Sequence, residues 1–415
     1  MNRRAFSLLA ALALTGTAFG GRANFNLDAA PHLYRERPLR DRFTKLKTEL
    51  EAGRVALDES SELAFLRSLL DRLNIPVSSQ MLVFSTTSLQ LRLIRQDNPR
   101  ALYFTDDLYV GYIPGGRIEI VSLDPELGGI FYIFDIPRGG QPPVVERSER
   151  CMHCHSDDDT GGVPGLVVKS VMPGPTGGSL DAYRLEQTGD AIPFDQRFGG
   201  WYVTGRSSIT NHLGNAFGRY VGGELTRVLI DPTTRFDPRR YLLPTSDILP
   251  QLLHEHQAGF VNRVVQAGYR TRAILHASNG TTLTAAQSAE LDEQARLVTR
   301  YLLFADEVSL PKGGVEGDAA YKRDFLQTRH AGPQGRSLRD FDLKTRMFRY
   351  RCSYMIYSEL FQALPGEIKQ RIHTRLARAL DPAQPEAEFA YLPAEEKQAI
   401  RGILKATLPG LPTTF

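Results

Sequence analysis

Cysteine is scarce in this chain, with three in 415 residues. That is too few for a disulfide framework, so each must be read by its position. No charge of one sign dominates: 50 Lys and Arg face 47 Asp and Glu, interspersed along the chain. The dense basic stripe that nucleic acid requires is missing, and no nucleic-acid partner is expected. Outside one short N-terminal stretch there is no apolar run long enough to span a bilayer, which excludes an integral membrane protein. No repeat recurs at a solenoid period. A 42% hydrophobic, 23% charged composition excludes disorder and collagen. What remains is a globular chain long enough for one large or two medium domains.

The short apolar stretch is the first feature that is present. Arg3 and Arg4 precede the run Ala5 to Leu14, and small residues fill Gly16 to Ala23. This three-part layout predicts a secretory signal peptide over 1–23, cleaved after Gly20 or Ala23, and therefore a periplasmic or otherwise exported protein. Arg3-Arg4 ahead of Phe6 also fits a twin-arginine signal. Cleavage after Ala23 removes Arg3, Arg4 and Arg22 and no acid, which brings the 50 basic residues into balance with the 47 acidic ones. The excess of positive charge belongs to the leader.

Over 24–140 an α/β region is expected. Leu39, Phe43, Leu46 and Leu50 recur at helical spacing before Gly53, and Leu63, Leu66, Leu70 and Leu73 do so before Pro76. β-branched and aromatic runs follow, from Met81 to Phe84, Leu102 to Phe104, Leu108 to Ile113, Arg117 to Leu123 and Gly129 to Ile136. Pro114-Gly115-Gly116 forms a hairpin loop between two of them, so a small antiparallel sheet is predicted. The stretch over 141–240 is rich in Gly and Pro and poor in periodicity, as expected of loops wrapped around a cofactor. Over 241–415 the chain turns helical. Ser246 is the expected cap of a helix bearing Leu249, Leu253, His256, Phe260 and Val264, and Thr284 with Gln287 forms a capping box. Ile368, Ile372 and Leu376, then Ile400, Ile403 and Leu404, mark two more helices. The fold class is therefore α+β, with a loop-rich segment in the middle.

Cys151-Met152-His153-Cys154-His155 is where the chemistry concentrates. Two thiols at this spacing can each add across a vinyl group of one haem, and the adjacent histidine then offers its imidazole to the iron as proximal ligand. A zinc site needs about four ligands, and the only other cysteine, Cys352, is distant in sequence. A redox dithiol or a local disulfide shares the Cys-x-x-Cys spacing but does not use the histidine, and no strand and helix pattern precedes it. One covalently attached haem c is the expected cofactor, bound by Cys151, Cys154 and His155.

From about Pro142 to Ala216 the chain resembles the cytochrome c domain of exported bacterial cytochrome-domain proteins. The Cys151–His155 motif is the specific element, and Gly199-Gly200-Trp201-Tyr202-Val203-Thr204-Gly205 followed by His212-Leu213-Gly214-Asn215 is similar to a second block. Cys352 to Ser358 also looks like part of that family. The resemblance implies haem binding and electron transfer. The chain departs from compact class I cytochromes in its size and in having no obvious distal-methionine segment.

Whether a second side chain reaches the iron separates an electron carrier from a reactive haem. His212, in a Gly-rich loop region after the only tryptophan, and Met172, on a Pro-Gly turn, are the two distal candidates. His256 on the helical stripe, Met347 and Met355 are further ones. His254-Glu255-His256 is not a metalloprotease motif, because two histidines two apart on a helix point to different faces. Cys352 reads as a buried small apolar residue, and Asp157-Asp158-Asp159 as a solvated turn. The expectation is an exported monohaem c-type cytochrome that exchanges single electrons with a redox partner protein or a small donor or acceptor. A haem-dependent oxidase or peroxidase and a redox or gas sensor are the alternatives, so whether it is an enzyme stays open.

Overall fold

The structure is a computed structural model describing residues 25–182, 189–384, 386–412 and 415. The expected signal peptide over 1–23 lies outside the described residues. Within them the fold is mixed α+β, and its sheet is antiparallel throughout. Strands β1 (Met81–Val83), β2 (Arg100–Phe104), β3 (Leu108–Tyr112), β4 (Ile118–Asp124) and β5 (Gly128–Phe134) fall where the β-branched runs predict them. The glycine pair after Pro114 turns β3 into β4, with Gly115 at φ +78°. The sheet is larger than those five strands. β6 (Glu146–Arg147) adds to one edge and β9 (Trp201–Tyr202) to the other, giving the order β6-β5-β4-β3-β2-β1-β9. Two hairpins complete the β structure: β7 (Val171–Pro173) with β8 (Ser179–Ala182), and β10 (Ala216–Val221) with β11 (Glu224–Leu229).

Strand alternation gives the sheet two faces with different cores. One face carries Leu82, Phe84, Ala101, Tyr103, Val110, Tyr112, Ile120, Tyr132 and Phe134. It packs under helices α1 (Arg42–Glu51) and α2 (Glu62–Arg72), which contribute Phe43, Phe65, Leu66, Leu69 and Leu70. The other face carries Met81, Val83, Phe104, Tyr109 and Leu123 with Trp201. It faces α4 (Ile248–Ser278), a 31-residue helix buried on nearly every side over its first half. The short α3 (Met152–His155) lies in the middle segment. The C-terminal helices are α5 (Ala285–Leu302), α6 (Ala319–Leu326), α7 (Glu359–Gln362), α8 (Gly366–Ala379) and α9 (Ala394–Thr407).

The capping box of Thr284 and Gln287 opens α5 as expected. At α4 the cap is Asp247, not Ser246: the Asp247 carboxylate accepts the Leu249 N–H. Both residues can cap a helix. Ser246 is taken by the sheet, where its Oγ accepts the Leu82 N–H and donates to the Tyr202 carbonyl. The Leu82 N–H thereby gains a buried partner, and the Tyr202 carbonyl, which also accepts from Gln251 Nε2, a second one. This join fixes the start of α4 across β1 and β9.

Candidate functional site

Residues 149–155 form a single-turn 3-10 segment running into α3, so Cys151, Cys154 and His155 occupy consecutive turns of helical backbone. All three cysteines are free thiols: Cys151 is partly buried, Cys154 exposed and Cys352 fully buried. Burial pushes the Cys151 thiol up and Cys352 further up, so neither is a poised thiolate. Cys352 is a core residue, as its neighbours Tyr350 and Tyr354 indicated. His153 points back to the Arg150 carbonyl. Asp157 accepts the Asp158 N–H and Asp159 pairs with Lys169, so the acidic triplet is a turn tied to the chain beside it.

His155 is the most constrained member. Its Nδ1 lies 2.9 Å from the Gly165 carbonyl oxygen, and the Gly165 N–H donates back to the His155 carbonyl at 2.8 Å. A carbonyl can only accept, so Nδ1 carries the proton and Nε2 keeps its lone pair. Burial holds the imidazole below its usual pKa, with the charge of Arg100 adding to the effect, so the ring is neutral near pH 7. A neutral imidazole with Nδ1 anchored to backbone and Nε2 free is the state of a histidine ready to ligate a metal.

The loop that anchors it is itself clamped. Asn262 on α4 accepts the Leu166 N–H and donates to the Leu166 carbonyl, both at 2.8 Å. Gly129 at the start of β5 donates to the Pro164 carbonyl. Gly165 has to be glycine here, because a Cβ would lie 2.3 Å from Asn262 Oδ1. The His155 ring sits 4.6 Å from that of Phe131, which projects from the α4 side of β5. The Cys151–His155 segment therefore faces the second sheet face.

At its centre that face is covered less tightly than at its margins. Leu102 on β2, Val121 on β4 and Glu119 on β4 are only partly buried, although they lie on inner strands between fully buried neighbours. Gly111 on β3 lies directly opposite both Leu102 and Glu119. A glycine on an inner strand leaves room for another group to approach the backbone. Arg100, 14% exposed, pairs with Glu119 at 2.9 Å, but its Nε–H is buried without a hydrogen-bond partner. An orphaned buried donor at the rim of an apolar hollow fits an acidic ligand group.

The distal candidates lie elsewhere. Met172 on β7 is 2% exposed and packs so tightly on β10 that a Cβ at Gly218 would come within 2.7 Å of its Cγ. His212 accepts the Gly214 N–H through Nδ1 and meets the Phe198 ring edge-on at 5.7 Å. Both belong to loops around β9: Val171 N–H bonds to Gly199 and Leu213 N–H to Arg197. β9 is five strand spacings from β5, about 24 Å at the usual interstrand distance. His256 is 0% exposed and has both nitrogens engaged, Nδ1 with Asp190 and Nε2 with Ser353, each at 2.8 Å. It stacks between Phe304 and Tyr301 and braces the helical core. Ser353 Oγ also accepts the Met355 N–H, so this Ser-His-Asp line is a buried strut closed to a substrate. Met347 and Met355 are core residues. Trp201 is 5% exposed and donates its indole N–H to the Lys169 carbonyl.

Sequence reasoning set His254 aside. The structure buries it on the open face of the sheet among Phe104, Tyr109 and Trp201. Its signal was the two-residue offset from His256, which on a helix sends the rings to different neighbours. Among the described residues no three His, Cys, Asp or Glu side chains converge to hold a bare metal ion, and no helix is long and apolar enough to cross a membrane. Comparison with family models, curated proteins and solved structures finds no match to this chain.

Proposed function

We propose that this chain is an exported monohaem c-type cytochrome, with haem c attached through Cys151 and Cys154 and His155 as proximal ligand. The observation that carries the reading is the state of His155: Nδ1–H fixed on the Gly165 carbonyl, Nε2 free, and two free thiols one and four residues before it. A bare zinc ion would need further ligands that do not converge among the described residues. A porphyrin iron needs only axial ones, because the macrocycle supplies the other four nitrogens.

Each thiol would add across one vinyl group: the sulfur bonds to one carbon, its proton goes to the other, and no oxidant is consumed. Bound there, the haem supplies a one-electron ferric–ferrous couple for a redox partner protein or a small donor or acceptor. The chain's own part is to hold and shield. Gly165 and Asn262 fix the His155 ring, Gly111 leaves space on the sheet, Leu102 and Val121 present an apolar floor, and Arg100 Nε offers a donor to a propionate. The partly buried Leu102 and Val121 side chains would disfavour the more charged iron state of a haem held there. The leader over 1–23 and the export-dependent attachment chemistry support a periplasmic location.

The test is expression with an export leader alongside a c-type maturation system. The purified chain is expected to carry one haem that survives acid-acetone extraction and to give the alkaline pyridine spectrum of a two-thioether haem. Cys151→Ser with Cys154→Ser should abolish the covalent haem. A wild-type protein that stays colourless, with both thiols alkylatable, overturns the reading.

A further inference from the structure

Two histidines two residues apart on α4 have opposite surroundings. His256 satisfies both ring nitrogens. His254 is 7% exposed, and neither of its nitrogens hydrogen-bonds among the described residues. Neither nitrogen is among the fully buried polar atoms that lack a partner, so the ring keeps a narrow opening through which a ligand group can reach it.

The surroundings of His254 say where such a group would lie. Its ring is 5.6 Å from Phe104, 5.6 Å from Tyr109 and 6.2 Å from Trp201, all on the sheet face toward α4. His155 meets Phe131 on the same face. Tyr109 and Phe131 both lie opposite Val121, so the two histidines overlook positions only two strand spacings apart, about 10 Å. Val121, between them, and Leu102 on the neighbouring β2 are only partly buried. Along α4, His254 precedes Asn262, which clamps the His155 loop, by about 12 Å of helix rise. Arg100 lies near enough to both rings for its charge to act on each of them.

We infer that His254 is the second axial ligand of the iron, which makes the haem bis-histidine ligated and lays it over the Leu102, Gly111 and Val121 hollow. This rests on the haem reading above. It replaces His212, whose Nδ1 accepts the Gly214 N–H, and Met172, which is packed against β10 at Gly218. A filled sixth position fits an electron carrier and excludes the peroxidase and gas-sensor alternatives at rest, because no coordination site is left open.

The experiment is spectroscopic and needs no turnover. Ferric wild-type protein should be six-coordinate and low-spin, with the near-infrared magnetic circular dichroism of two nitrogen axial ligands, and the ferrous form should not take up carbon monoxide on mixing. His254→Ala should keep its covalent haem, become high-spin, bind carbon monoxide, and return to low-spin on adding imidazole. His254→Met, which conserves volume, should introduce the sulfur-to-iron charge-transfer band and covers the case in which the alanine variant does not fold. His212→Ala and Met172→Leu should leave the wild-type spectrum unchanged. A low-spin bis-nitrogen spectrum that persists in both His254 variants overturns the inference while leaving the haem reading intact. A wild type without haem overturns the haem reading instead.

Discussion

The two faces of the one sheet are built for different ends. On the face under α1 and α2, Tyr103, Tyr112, Tyr132 and Phe134 are each 1% exposed or less. Every polar end on that face is answered: Tyr132 Oη bonds Asp41 and Tyr103 Oη bonds Gln80. On the face under α4 the margins close as tightly, yet the centre holds a glycine, two half-buried aliphatics, an arginine with an orphaned donor and a histidine that makes no hydrogen bond among the described residues. Same strands, same alternation and same hydrogen-bonded ladder produce both. The difference fits the proposed haem on the α4 side: a less tightly covered face costs stability that the closed face has to supply.

The sharpest way to break that comparison is to cut the closed face. Phe134 packs on Phe43 and Phe65 and is fully buried. Phe134→Ala should lower the unfolding free energy by about 4 kcal/mol. The haem spectrum of the molecules that remain folded should not change. Chemical denaturation followed by far-ultraviolet circular dichroism, beside the visible spectrum, reads both quantities. A shift in axial ligation from this variant would mean that the two faces are not separable.

A second prediction concerns the closed helical core around His256. Burial and nearby Asp190 push Glu307 up to about 8, while its Oε1 accepts the Met347 N–H. Folded Glu307 therefore holds its proton to higher pH than the unfolded chain, whose carboxyl titrates near 4.5. The native state binds more protons between those values, so this contribution to stability is complete below pH 4.5 and is lost as pH rises through 8. Glu307→Gln should flatten that slope and stabilise the protein at pH 8 by about 2 kcal/mol, allowing for partial exposure. Unfolding midpoints measured from pH 5 to 8.5 check it, and parallel curves for variant and wild type would refute it.

How far the sequence carried depended on whether the signal was local. Strands β1 to β5, the turn at Gly115, the capping box at Thr284 and the stripes of α1, α2, α8 and α9 are set by neighbours within a few residues, and pattern alone located them. Cys151, Cys154 and His155 lie within five residues, so the motif on which the haem proposal rests was legible too. The rest depends on long-range pairing. Two-residue strands such as β6 and β9 carry no period of their own; Trp201 becomes a strand only because Val83 lies opposite it. Ser246 looked like a cap because its competition for Leu82 and Tyr202 comes from far along the chain. His254 was passed over for the same reason. Its aromatic neighbours come from β2, β3 and β9, and the absence of a partner can be seen only once every element around it is in place.

The smallest structural change tests the open face most directly. Gly111 has ordinary strand geometry, so its missing side chain is not required by backbone conformation. A Cβ there would lie 3.3 Å from the Glu119 Cβ and Oε2, which must give by a few tenths of an ångström, and 3.5 Å from the Leu102 Cδ2. Gly111→Val adds β-branched bulk that suits a strand but crowds these neighbours, so the haem-free protein should lose about 1 kcal/mol of stability and stay folded. The added methyls would nevertheless stand in the hollow between Leu102 and Glu119. On a closed face, filling such a gap improves packing. On a face kept open for a flat ligand it should cut the haem-to-protein ratio at least severalfold, read as the Soret-to-280 nm absorbance of purified protein. Gly111→Val with full haem occupancy and an unchanged spectrum would show that the hollow is only a packing defect and that the haem lies elsewhere.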